Sequence, residues 1–146
     1  MLANTTGTRN AALGTFALDS NTTANDNTGL GYGALATNTT GREGVAVGSS
    51  ALVANTTGDF NVAVGAFALD ANTTGGSNIA IGMGSLSDST TASNNVAIGT
   101  NSGSNATTGL VDSVLVGYQA GGSGTQGSYT VGVGYNSLYN NTGNNN

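Results

Sequence analysis

The amino-acid sequence predicts an all-β fold, a parallel β-solenoid of about eight coils of 17 residues each. Three features predict it: a glycine at fixed spacing, a β-branched stretch just before it, and a polar turn after it. The glycine stands at Gly14, Gly31, Gly48, Gly65, Gly82, Gly99, Gly117 and Gly134. The spacing is 17 at every step except the 18 between Gly99 and Gly117, and the extra residue is assigned to the segment Leu110 to Ser113. Residues 1–146 thus read as a single repeat array.

The strand comes first in each coil. Its clearest copies are Asn61-Val62-Ala63-Val64-Gly65, Asn78-Ile79-Ala80-Ile81-Gly82 and Asn95-Val96-Ala97-Ile98-Gly99. β-branched residues favour an extended, pleated backbone, so Val62, Val64, Ile79, Ile81, Val96 and Ile98 are the expected strand core. Successive side chains of a strand point to opposite faces, which sets Val62 and Val64 against Ala63. Both faces are apolar, the mark of a strand covered on both sides. A coil this narrow covers one face by itself, so the other is expected to meet another chain. Either face can be the inner one.

After the glycine comes a small residue and then usually Leu, as in Ala17-Leu18, Ala34-Leu35, Ala51-Leu52 and Ala68-Leu69. The polar turn Asn-Thr-Thr-Gly, or a close variant, follows from Asn4, Asn21, Asn38, Asn55 and Asn72. Gly and Asn supply the positive φ angles that turns require. Helical hairpin repeats need about 33 residues, so a 17-residue unit fits two short strands and two turns. With strands about 4.8 Å apart, eight such coils make a rod of roughly 38 Å.

Composition narrows the function. Charged residues are 6% of the chain, against about 25% in an ordinary domain. The net charge is −5 and the cations are Arg9 and Arg42, so the basic face that nucleic-acid binding needs is missing. No run approaches the roughly 18 apolar residues of a membrane span, and neither nucleic acid nor membrane insertion is expected. With no His or Cys, nucleophile–base pairs and metal clusters lack material. No enzymatic activity, cofactor or metal site is expected. The chain begins and stops inside a repeat, without the capping units that solenoids use. It therefore reads as part of a longer array, with end-to-end stacking into a filament as the alternative.

The Asn-Val-Ala-Val-Gly units resemble the head repeats of trimeric autotransporter adhesins (YadA-like), across essentially the whole chain. With the Asn-Thr-Thr-Gly extension they also resemble repeats of phage tail fibres. The coil here is longer than the family unit. The resemblance implies a left-handed β-roll assembled as a homotrimer. It also implies an extracellular, cell-surface or virion location, and a shaft or head that adheres to a host cell surface or glycan receptor.

Other features are weighed against plainer readings. Asp19, Asp26, Glu43, Asp59, Asp70, Asp88 and Asp112 read as isolated, solvated turn charges. The Thr-Thr pairs from Thr5-Thr6 to Thr107-Thr108 read as a stacked turn ladder, with an ice-binding face as the alternative. Asn4, Asn21, Asn38, Asn55, Asn72, Asn105 and Asn140 each match the Asn-x-Ser/Thr glycosylation pattern. Phe16, Tyr32, Phe67, Tyr118 and Tyr135 follow the repeat glycine and are expected to cover the roll edge, with sugar contact as the alternative. Asp at Val64 or Ile81 would bury a charge on an apolar face, whereas Thr56 is expected to face solvent.

Overall fold

The computed structural model describes residues 3–105, 110–123 and 127–141. Each coil carries one three-residue strand: β1 (Ala11–Leu13), β2 (Thr28–Leu30), β3 (Val45–Val47), β4 (Val62–Val64), β5 (Ile79–Ile81), β6 (Val96–Ile98), β7 (Val114–Val116) and β8 (Val131–Val133). The strands form one parallel sheet in chain order, and equivalent residues pair, as Val62 with Ile79 and Val64 with Ile81. The chain is a parallel β-solenoid whose eight strands enclose about seven turns. At about 4.8 Å per turn, β1 lies roughly 34 Å from β8.

The expected second strand of each coil is absent among the described residues. The return path is also laddered between coils, with the amides of Leu18, Leu35 and Leu52 donating to the carbonyls of Ala34, Ala51 and Ala68 at 3.0 Å. Those leucines, however, have φ between 50° and 53°, which breaks an extended strand. Left-handed φ costs an L-residue about 1–2 kcal/mol. Complete burial of a Leu side chain contributes about 1.5–3 kcal/mol, enough to hold it there.

Two columns fill the interior. Ala46, Ala63, Ala80 and Ala97 point inward from the strands, and Leu18, Leu35, Leu52, Leu69 and Leu86 meet them from the return path. The columns exchange size near the C-terminal end. Gly103 stands where a leucine is due, and a Cβ there would lie 3.1 Å from Cδ1 of Leu115, which has replaced the inward alanine. In the next coil the inward strand residue is Gly132, whose Cβ would lie 3.0 Å from Cδ1 of Leu138. Each coil thus places one large and one small residue across the interior, or none large at all.

The repeat glycine sets the coil spacing. At Gly65 φ is +133°, and a Cβ would stand 2.6 Å from the carbonyl of Gly82 in the next coil. Any side chain there would push two coils apart.

The extra residue lies earlier than the sequence reading placed it. Val111 bridges Ser93, and the Ser113 amide donates to Asn95 Oδ1, so this segment is already offset by 18. The Ser104 carbonyl still accepts from Asp88 as its equivalents do one coil before. The insertion therefore falls between Ser104 and Leu110. Leu110 itself is buried in the place that Ala92 holds one coil earlier.

Candidate association face

The structure decides which strand face is which. Ala63, Ala80 and Ala97 are fully buried, while Val62, Val64, Ile79, Ile81, Val96 and Ile98 point outward. The residues expected as strand core therefore form strands but do not line the interior. Their side chains make two parallel columns along the rod, continued by Val114 and Val116 and then by Val131 and Val133. Ile81 is 37% exposed and Val133 68%. From β3 to β8 these columns make a strip about 10 Å wide and roughly 24 Å long, or about 240 Å² of flat apolar surface. With its apolar flanks added it reaches the few hundred Å² of the largest patches on single chains, which are often functional.

Aromatic rings widen it on the C-terminal side of the strands. Phe16, Tyr32, Phe67, Tyr118 and Tyr135, the rings expected to cover the roll edge, are all exposed along it. Phe16 meets Tyr32 edge-on with centroids 5.7 Å apart, and Tyr118 stacks on Tyr135 at 5.4 Å. On the N-terminal side Phe60 and Tyr129 are also exposed.

The polar turns are built differently from the sequence expectation. Asn21, Asn38, Asn55 and Asn72 are buried, and each Nδ2 donates twice. One bond goes to the carbonyl three residues on, as from Asn55 to Gly58 at 3.0 Å. The other goes to Oδ1 of the equivalent asparagine one coil before, as from Asn55 to Asn38 at 2.9 Å. A glycan on any of these four nitrogens is incompatible with the folded coil. Asn4, Asn105 and Asn140 are exposed, but Asn4 Nδ2 donates to the Gly7 carbonyl and Asn105 Nδ2 to that of Gly122, which leaves Asn140 as the position most open to a glycan.

A second amide ladder runs just before the strands. Asn78 Nδ2 donates to Asn61 Oδ1 at 3.0 Å, and Asn95 Nδ2 donates to Asn78 Oδ1 at 3.0 Å. The sequence reading gave Asn61, Asn78 and Asn95 as the residue before each strand and assigned them no bond. The signal missed was their strict position, since solvated turn residues are free to vary.

From Thr22 to Thr73 the first threonine of the pair is half-buried and donates to a carbonyl of the next coil, as Thr39 to Thr56 and Thr56 to Thr73, both at 3.0 Å. Thr56 is thus tied into the turn rather than facing solvent. Thr57 is its exposed neighbour. Thr23, Thr40, Thr57, Thr74 and Thr91 leave a single file of exposed threonines. Thr107 and Thr108 lie outside the described residues.

The carboxylates are not all solvated turn charges. Arg9 and Asp26 form a two-pronged surface pair, with Nη2 to Oδ2 at 2.7 Å. Its hydrogen bond holds the Asp26 carboxyl below the usual range. Arg42 pairs with Asp59 at 3.4 Å. Asp70 is the contrast: its Oδ1 is buried without a hydrogen-bond partner, and desolvation, then the charge of Asp88, pushes its carboxyl up.

Comparison with protein-family models, with curated proteins and with solved structures finds no match for this chain. Its own geometry defines its class, a parallel β-solenoid with a laddered polar spine and one exposed apolar sheet face.

Proposed function

We propose that this chain is a structural and adhesive fibre segment. In this reading it associates with copies of itself through the outward Val/Ile face as a homotrimer. It serves outside the cell, on a cell surface or a virion, as the shaft or head of an adhesin or tail fibre. The observation that carries the reading is the pair of exposed columns from Val45 and Val47 to Val131 and Val133. Water contact along so regular an apolar strip is costly, and association removes it. The resemblance to YadA-like head repeats supports three copies and a left-handed coil. The rod is mechanically suited to the role, because inter-coil hydrogen bonds run along both the strands and the return path. Three chains then repeat each weak surface contact, and linked contacts strengthen binding by about 10²–10⁴.

Binding of soluble, fluorescently labelled chain to whole cells and to immobilised polysaccharides tests adhesion. Wild type should be retained, and Val64→Asp, which breaks the association, should lose retention by about 10²-fold. Retention of wild type on none of these surfaces, or equal retention of both, contradicts the reading.

A further inference from the structure

We infer that Tyr118 and Tyr135 are an oxidative modification site, where the two rings couple into a covalent staple between the coils of β7 and β8. The co-reactant is hydrogen peroxide acting through a haem peroxidase, which removes single electrons. Both rings belong to one chain, so the site is independent of the association proposed above.

Both side chains are exposed, and their rings stack with centroids 5.4 Å apart and planes 9° from parallel. The backbone fixes that approach. The Gly134 amide donates to the Val116 carbonyl at 2.8 Å, and the Asn136 amide donates to the Tyr118 carbonyl at 3.0 Å. Tyr135 is therefore held directly over Tyr118 at one coil spacing, about 4.8 Å. Among the described residues no other tyrosine has a phenol beside it. Tyr32 meets the edge of Phe16, which carries no hydroxyl, and Tyr129 and Tyr139 make no ring contact.

Composition directs the oxidant to these rings. The chain holds no Cys, Trp or His, the side chains that compete with tyrosine for a one-electron oxidant. Met83 takes an oxygen atom from peroxide instead. The location is also where other ties between coils are fewest. The second amide ladder ends at Asn95, with Ser113 and Thr130 in the next two positions. Both ion pairs among the described residues precede β4.

In the coupling, each tyrosine gives up one electron and its phenolic proton. The two phenoxyl radicals carry unpaired density at the ring carbons beside the oxygen, and exposure leaves the rings free to turn until a Cε of each meets. One Cε–Cε bond forms, and the hydrogens on those two carbons move to the phenol oxygens, restoring both rings. Two electrons and two protons leave in all and reduce one hydrogen peroxide to two waters. The bond ties residues 17 apart and constrains the unfolded chain as a disulfide does.

The test treats the purified chain with a haem peroxidase and limiting hydrogen peroxide. Dityrosine fluorescence is read on the intact protein, and the link is located by peptide mass spectrometry. Wild type is expected to give one dominant link, Tyr118 to Tyr135, in a product that runs as a single chain on a denaturing gel and is lighter by two hydrogens. Tyr118→Phe and Tyr135→Phe keep a ring for the stack and should each abolish the link, whereas Tyr32→Phe and Tyr129→Phe should retain it. The linked chain should melt roughly 5–10 °C above the untreated one. Wild type without dityrosine, fluorescence undiminished in Tyr135→Phe, or links that join separate chains in place of this pair would overturn the site. A fully linked chain with an unchanged midpoint would overturn the staple.

Discussion

Asn72 Oδ1 is buried and has no hydrogen-bond partner, because the asparagine ladder ends where Ser89 occupies the next position. Each earlier rung accepts from the asparagine below it. A buried polar atom left unpaired costs about 1–3 kcal/mol. Ser89→Asn restores the rung in a turn that already accepts asparagine four times over. It should raise the thermal midpoint by the equivalent of about 1 kcal/mol. A lowered midpoint would mean that the turn at Ser89 is shaped differently from those above it. Asp70 and Asp26 respond to acid in opposite senses. Because the Asp70 pKa is raised in the fold, its ionised form opposes folding at neutral pH, and that penalty fades as pH falls through the folded pKa toward the ordinary range. Asp70→Asn should therefore melt above wild type at pH 7, with the difference shrinking on acidification. For Asp26 the pKa is lowered, so its contribution is present above the ordinary range and is lost as pH falls through the folded value. Melting curves of Asp70→Asn and wild type from pH 7 to pH 3 check the sign, and a gap that widens in acid contradicts it.

At the scale of the coil, the interior is so narrow that large and small residues must alternate across it. Leu115→Ala alone leaves Gly103 facing an alanine and opens a cavity, which for a buried Leu costs about 2–5 kcal/mol. Gly103→Leu alone drives a side chain into Leu115, whose Cδ1 lies 3.1 Å from where the new Cβ must sit. The double variant restores the Ala–Leu pairing of the neighbouring coils and should recover most of the loss in a melting experiment. Additive losses would show that the two positions do not share space. The same packing explains what could be read in advance. The period, the glycine column and the strands were legible, since each is a recurring residue type. The direction of the strands was not, because Val-Ala-Val presents an apolar face either way. The leucine of the return path decides it, as only alanine leaves room opposite a buried Leu. Nor was the single strand per coil legible, because leucine rarely adopts positive φ and nothing local marks Leu52 or Leu69 as exceptions. The buried asparagines were visible as a pattern and were assigned to solvent, since Asn is usually an exposed turn residue.

For the whole molecule, the stacked backbone ladders and two amide ladders make a rod whose inward and outward faces have separate duties. Ala63 is sealed inside, whereas Val64 stands half-exposed on the outward face. Asp at position 63 buries an unpaired charge in any assembly state. It should abolish the β-sheet circular dichroism signal altogether. Asp at position 64 has water beside it in a lone chain and loses it only when a second copy docks. The two substitutions therefore separate folding from association, which the sequence reading had merged in expecting Val64 and Ile81 to be equally buried. Absolute mass by light scattering after size exclusion, on wild type and Val64→Asp side by side, tests the central claim most directly. The account predicts three times the 14.1 kDa chain mass for wild type and a folded single chain for Val64→Asp. A folded single chain for wild type, or an unchanged oligomer in Val64→Asp, would contradict it.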